Sequence, residues 1–582
     1  MTTEATGLKK ATGSFKYSLG EYETEINAKV DELTKLNAVQ RVWNKDAALW
    51  SGADESQWLG WLDIVKEQLD SLDTFTKLSA DIKQAGFKQA LLIGMGGSSL
   101  CVEVLRLTFG VESGFPDMHV LDSTVPAQVS RTRKLLDLSK TVIIVASKSG
   151  GTTEPNVLCD YFYDEVRKEV GDKVGEHFIA VTDPGSSMEQ KAKDLKFRAI
   201  THGKPSIGGR FSALSNFGMV PSAVMGYDIK KFLDHAQKMV DACGPGTTVR
   251  DNPGAMLGTI MGVLAQKGRD KVTVFASPAI HSLGAWLEQL MAESTGKEGK
   301  GLIPVAGEKL LEPDEYGSDR LFVYIRLASD PDLDQDQRAR NLMQSGDPVV
   351  YIELADKVDL GGEFFRWEFA TAVAGAVLGI NAFNQPNVQE SKDYTKKYLA
   401  EYTEKGKLPE DVLLHEEDGI KLYVDASNEA YLRKTVEGNK TFDAYIAAHL
   451  GRLVPNDYYA TNAYIDRDEK NEKRVDKLRT MVLERKRNAT TVGFGPRFLH
   501  STGQLHKGGP NSGVFLQVTS NDEQDLPIPG EKYSFGVLKQ AQALGDFLAL
   551  SKRNRRLLRV HLPADVAYGL DRLEKAIRSA LA

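Results

Sequence analysis

An α/β protein with mostly parallel sheets is what this sequence predicts, and three observations carry the prediction. Short apolar runs at 89–93, 118–121, 142–146, 178–181 and 197–200 recur with helical stretches between most of them. That is the rhythm of a parallel sheet with helices on both faces. It returns at 272–276, 321–325 and 349–354, and again at 458–465, 490–493, 514–518 and 557–562. Two of the runs end in glycine- and serine-rich loops, at 94–99 and 147–153, and open α/β sheets bind ligands at the carboxyl ends of their strands.

The chain has 582 residues, too many for one core, so about two to four domains are expected. Residues 1–86 read as a helical N-terminal section, the first 15 or so polar and frayed. A first α/β domain is expected at 87–245, ending near the turn Cys243-Gly244-Pro245-Gly246. A second is expected at 246–395, with helices at 282–294 and 364–378. The remainder, 396–582, reads as a further α/β section completing the second domain, with helices at 469–487, 535–550 and 564–580.

Hydrophobic residues make up 41% and charged residues 26%, and the formal net charge is −7 without a long basic block. This is the composition of a globular protein and argues against nucleic acid as a partner. No apolar run approaches the roughly 20 residues that span a bilayer, so no membrane partner is expected. Cys101, Cys159 and Cys243 are scattered without CxxC spacing. They predict neither a disulfide framework nor a metal site, and a cytoplasmic location.

The densest chemistry lies in Ser147-Lys148-Ser149-Gly150-Gly151-Thr152-Thr153, between a strand and a helix with Pro155 in its first turn. Hydroxyls, a lysine and free N–H groups at a helix start make a phosphate cradle; the plainer alternative is an ordinary helix cap. Gly94-Met95-Gly96-Gly97-Ser98-Ser99 is a second small-residue loop, which departs from GxGxxG at Ser99. Arg210 follows Gly208-Gly209 and either grips an anion or sits on a turn. In 282–294, Leu283, Trp286, Leu287 and Leu290 form one stripe on which Glu293 falls, with Gln289 a turn earlier. Glu293 is a buried base or a helix-end residue reaching water. Asn384-Gln385-Pro386 leads into a helix carrying Lys392, and 493–510 is a polar, glycine-rich loop with His500 and His506.

Taken together these motifs resemble the glucose-6-phosphate isomerase family of the sugar-isomerase (SIS) domain superfamily. Ser147 to Thr152 resembles its SK[ST]xTT loop, with Gly151 in place of a threonine. Gly96-Gly97-Ser98 resembles GIGGS, Gly208 to Ser212 matches GGR[YF]S, and Gln289 to Lys297 resembles QxxxES-GK. Asn384 to Lys392 resembles FDQxGVExxK, with Asn387 and Gln389 replacing Gly and Glu. The family's histidine between the glutamate and the lysine is missing here, and Leu499-His500-Ser501-Thr502-Gly503-Gln504 carries the matching segment after the lysine. That order resembles the isomerase half of bacterial transaldolase–isomerase fusions.

The resemblance implies two SIS-type α/β/α sandwich domains, a sugar-phosphate substrate, no cofactor or metal, and a homodimer. It implies interconversion of glucose 6-phosphate and fructose 6-phosphate by ring opening and cis-enediol proton transfer. Glu293 would be the base, His500 with Lys392 the ring-opening groups, and Arg210 the stabiliser of the enediolate. Gly97, Ser98, Ser147, Lys148, Ser149, Thr152, Gln289 and Gln385 would bind substrate. An isomerase that also takes mannose 6-phosphate, and a non-catalytic sugar-phosphate sensor, would share the phosphate loop.

Overall fold

The computed structural model of the chain describes residues 8–10, 13–409 and 411–582. The described residues begin with an antiparallel pair, β1 (Leu8–Lys10) and β2 (Gly13–Ser18). Helices from Glu23–Lys35 to Leu72–Ala85 follow. The first α/β unit holds β3 (Gln89–Gly94), β4 (Asp117–Leu121), β5 (Thr141–Ala146), β6 (Phe178–Thr182) and β7 (Ala199–His202). They form one all-parallel sheet in the order β4-β3-β5-β6-β7. Every residue of β5 is buried, as a continuous apolar run in a doubly covered sheet requires. The chain winds outward from β3 to β4 and then returns to the other side of β3 at β5. The β3 and β5 loops therefore flank the switch point where such sheets bind ligands.

The second sheet contains β8 (Lys271–Ala276), β9 (Ile303–Ala306), β10 (Arg320–Leu327) and β11 (Val349–Leu354), and the N-terminal pair completes it in the order β1-β2-β11-β10-β8-β9. Thus the N-terminal section is not helical throughout. β2 pairs antiparallel with β11, Phe15 opposite Ile352, and Phe15 is buried. The N-terminal helices place Ile26, Trp61 and Val65 in one core with Val274, Phe364 and Phe369.

The C-terminal section departs from expectation. It does not complete the second domain but builds a sheet of its own. β12 (Val412–Glu417), β13 (Ile420–Val424), β14 (Tyr458–Tyr464), β15 (Ala489–Phe494), β16 (Gly513–Ser520) and β17 (Arg556–Leu562) run in the order β12-β13-β17-β16-β14-β15. Leu422, Tyr459, Val518, Leu558 and Leu573 form a separate core. Buried hydrogen bonds and ion pairs dock this unit onto the others. Glu308 accepts from Arg320 Nη1 and from the Thr490 amide, both at 2.8 Å. Arg497 pairs with Glu103 and, at 3.0 Å, with Asp122. Among the described residues no helix is long and apolar enough to cross a membrane, and the three cysteines are buried and unpaired.

Candidate active site

The loop after β5 enters the helix Thr153–Val170 through Thr152, whose extended backbone is that of an N-cap. Its hydroxyl makes no capping bond, so the hydroxyl and the first N–H groups of an 18-residue helix stay available to an anion. The loop borders a cavity of about 160 Å³ lined by Ser149, Gly151, Thr152 and Thr153. Lys392, from the helix Pro386–Lys405, and His500 line it as well.

His500 sits on the short turn Arg497–His500 that follows β15. Its Nε2 lies 2.8 Å from Glu154 Oε1, which also accepts from Gln542 Nε2 at 2.7 Å. Burial pushes the Glu154 carboxyl up, but the charge and hydrogen bond of His500, a backbone hydrogen bond and the charge of Lys392 together outweigh it, and the net shift is downward. An ionised Glu154 accepts only, so Nε2 carries the proton and Nδ1 is the ring nitrogen left for a ligand.

The backbone of His500 reaches a second cluster. Its carbonyl accepts from Gln289 Nε2 at 2.9 Å, and the same Nε2 donates to Glu293 Oε2 at 3.0 Å. Gln289 and Glu293 lie one turn apart on the buried helix Leu283–Thr295. Gln289 Oε1 is buried without a partner, an acceptor that a substrate hydroxyl would satisfy. Arg210 is buried and donates to Ser294 Oγ (2.7 Å), Gln385 Oε1 (2.9 Å), Ala382 O (2.8 Å) and Asn384 O (3.0 Å). A guanidinium has five N–H donors. The fifth belongs to Nη1, which lies 3.8 Å from Glu293 Oε2. Beneath them Lys297 donates to Asn381 O at 2.5 Å, and burial, with Arg210 nearby, holds its pKa well below the ordinary lysine value.

The glycine loop after β3 lets these segments meet. A Cβ on Gly96 would stand 2.5 Å from His500 O and 2.7 Å from Gln289 Nε2, and one on Gly97 would overlap the Gly209 carbonyl at 1.9 Å. Only glycine fits at either position.

Of the residues singled out from sequence, Ser149, Thr152, Lys392 and His500 share the cavity, while Glu293, Arg210, Gln289 and Gln385 gather on the far side of His500. Others stand apart. Lys148 Nζ is turned to Asp183 and to the Lys204 carbonyl at 3.2 Å. Ser147 and Ser98 are buried, and neither they nor Gly97 border the cavity. His506 packs among Tyr458, Phe498 and Phe515, and burial holds its pKa well below the ordinary histidine value. Glu154 and Gln542 belong to the site although neither is singled out by a motif of the sequence. Gln504, which closes the segment 499–504, has a structural part that the motif alone does not show. This buried side chain donates to Gly296 O (2.9 Å) and Asn387 Oδ1 (2.7 Å) and accepts from the Asn387 amide (2.9 Å). It thereby joins the glutamate helix, the lysine helix and the histidine loop. Gln504→Leu keeps the volume but strands these groups; it is expected to cost about 1–3 kcal/mol. The checks are a lowered Tm and a kcat that falls with little change in KM.

Fold and site define the class: an α/β sandwich protein with a hydroxyl- and glycine-rich loop at a sheet's switch point and a carboxylate, arginine and histidine gathered beside it. Residues 62–301 match the family model described as phosphoglucose isomerase. The match takes in the loop after β5, Arg210, Gln289 and Glu293, and stops before Lys392 and His500. A probable glucose-6-phosphate isomerase of Methanococcus maripaludis is 28% identical over 379 residues, 58% of this chain and 84% of the relative. A glucose-6-phosphate isomerase of Rubrobacter xylanophilus is 25% identical over 377 residues, 56% of this chain and 86% of the relative. The crystal structure of a glucose-6-phosphate isomerase from Chlamydia trachomatis shares the fold with a TM-score of 0.58 at 19% identity, covering 68% of this chain and 90% of that one.

Proposed function

We propose that this chain is an aldose–ketose isomerase that interconverts glucose 6-phosphate and fructose 6-phosphate. The observation that carries the reading is the double use of His500. Its imidazole faces the cavity of the phosphate loop and its carbonyl seats Gln289 against Glu293. A phosphate held by Ser149, Thr152 and the helix N–H groups takes no part in the chemistry but orients the sugar. His500 Nδ1, with Lys392, moves the proton between the ring oxygen and the anomeric hydroxyl, opening the ring. Glu293 takes the proton from carbon 2 and returns it to carbon 1 of the cis-enediolate. The unpaired Nη1 N–H of Arg210 faces the oxygen on which charge develops, and Gln289 Oε1 accepts from a sugar hydroxyl.

Every residue in this scheme comes from one chain. The homodimer and the cytoplasmic location are proposals that follow from the resemblance and the reduced cysteines; in such a dimer each protomer holds its own complete site. The test is isomerisation of glucose 6-phosphate in deuterated water. Turnover with deuterium at carbon 1 of the ketose product, or at carbon 2 in the reverse direction, is expected. Sugar-phosphate binding without turnover or exchange would leave a sensor instead. Parallel assays with mannose 6-phosphate measure how strictly carbon 2 is read.

A further inference from the structure

We infer that Lys396 is a ligand of the substrate phosphate and supplies the positive charge that Lys148 does not; this rests on the sugar-phosphate reading above. A phosphate dianion held by hydroxyls and N–H groups gains most from a cation in direct contact. The loop's own lysine is turned away, since Lys148 Nζ is engaged by Asp183 and the Lys204 carbonyl. Among the described residues the lysines bordering the cavity are Lys392 and Lys396. They are one turn apart on the helix Pro386–Lys405 and so share a face.

Neither lysine makes an ion pair or a hydrogen bond among the described residues. The carboxylate bordering the cavity, Glu154, is already occupied by His500 and Gln542. Gln389, on the same wall, is neutral and donates to Asp393 at 2.8 Å. Lys392 lies near enough to Glu154 for its charge to help lower that carboxyl's pKa, which leaves Lys396 as the lysine at the cavity without a matching charge among the described residues until an anion enters. Across the cavity the loop lacks a side chain at Gly151. A Cβ there would find nothing nearer than Ser149 Oγ at 4.0 Å, so the end of a lysine can enter that space. Lys396 is exposed at its rim, on a long flexible stem that can swing onto a bound phosphate.

The test compares Lys396→Ala and Lys396→Arg with the unaltered full-length chain. The readings are KM and kcat for glucose 6-phosphate and, by calorimetry, the Kd of inorganic phosphate. Lys396→Ala is expected to raise both KM and Kd by about tenfold or more, the loss of one charge-assisted hydrogen bond. Its kcat should stay within about twofold, and arginine should restore most of the binding. Added salt should narrow the difference between the two chains. Unchanged KM and Kd in Lys396→Ala, or a loss confined to kcat, overturns the assignment. Exposure of Lys396 keeps folding out of the result. If the unaltered chain fails to isomerise glucose 6-phosphate, the functional reading falls, while the phosphate titration still decides on Lys396.

Discussion

Glu293→Gln is expected to lower kcat by about 10³–10⁴-fold while the affinity for sugar phosphate changes by less than about tenfold. The substitution removes the base and little else. Glu293 Oε2 accepts from Gln289 Nε2 at 3.0 Å, a bond that the Oε1 of glutamine can also accept. The Arg210 Nη1 contact at 3.8 Å becomes a charge–dipole contact, and Arg210 keeps its four other acceptors. The phosphate loop lies across His500 from the change. Steady-state kinetics, calorimetry with fructose 6-phosphate and deuterium exchange at carbons 1 and 2 separate binding from proton transfer. Exchange at the unaltered rate would remove Glu293 from the mechanism. Glu154 is not free to take over the base's part, because it is tied to His500 and Gln542.

The glutamate, the arginine and the loops were legible from sequence because each is local. A strand running into hydroxyls and glycines, or a carboxylate on an apolar stripe, is a pattern within about a dozen residues. What stayed hidden depended on distant partners. β2 pairs with β11 from the far end of two domains, and no local signal announces such a partner. β12 and β13 are a different case. Asp418 and Gly419 both have positive φ, at 54° and 74°, and Asp-Gly between alternating residues is a hairpin signature that the 411–424 stretch carried openly. Lys148 shows the limit of motif reading. Its place in the loop is correct, but its direction is set by Asp183 just past β6, 35 positions on. Glu154 directly follows the 147–153 loop, yet nothing local marks its role, because its partner is 346 positions away. His500 and His506 could not be separated by spacing; burial separates them, one at the cavity and one among aromatic rings.

The Glu154–His500 pair yields the second large effect, and it distinguishes ring opening from isomerisation. His500→Ala is expected to lower kcat on cyclic glucose 6-phosphate by about 10²–10³-fold. The same variant should act nearly normally on 5-deoxyfructose 6-phosphate, which lacks the hydroxyl that closes the ketose ring. Glu154→Gln probes the histidine without removing it. In the native pair the carboxylate at 2.8 Å fixes the proton on Nε2, leaving Nδ1 to accept one from the substrate. A glutamine can donate its amide to Nε2, which favours the other tautomer, with the proton on Nδ1 and no lone pair toward the cavity. Glu154→Gln should therefore resemble His500→Ala on the cyclic substrate, although it leaves the imidazole in place. One oxygen, Oε1, accepts from both His500 and Gln542, so an amide nitrogen turned to Nε2 also meets Gln542, whose own amide must flip to accept from it and to donate to Thr124 Oγ1; with those groups still paired, folding should survive. Equal losses on cyclic and open substrates in both variants would refute the ring-opening role and would make the pair a support for Gln289 through the His500 carbonyl. The Glu154 carboxyl is held below its ordinary value, so the pair's contribution to stability is present above the ordinary carboxylate range. It is lost only as pH falls through the depressed value, and Glu154→Gln should flatten that acid limb of the unfolding curve.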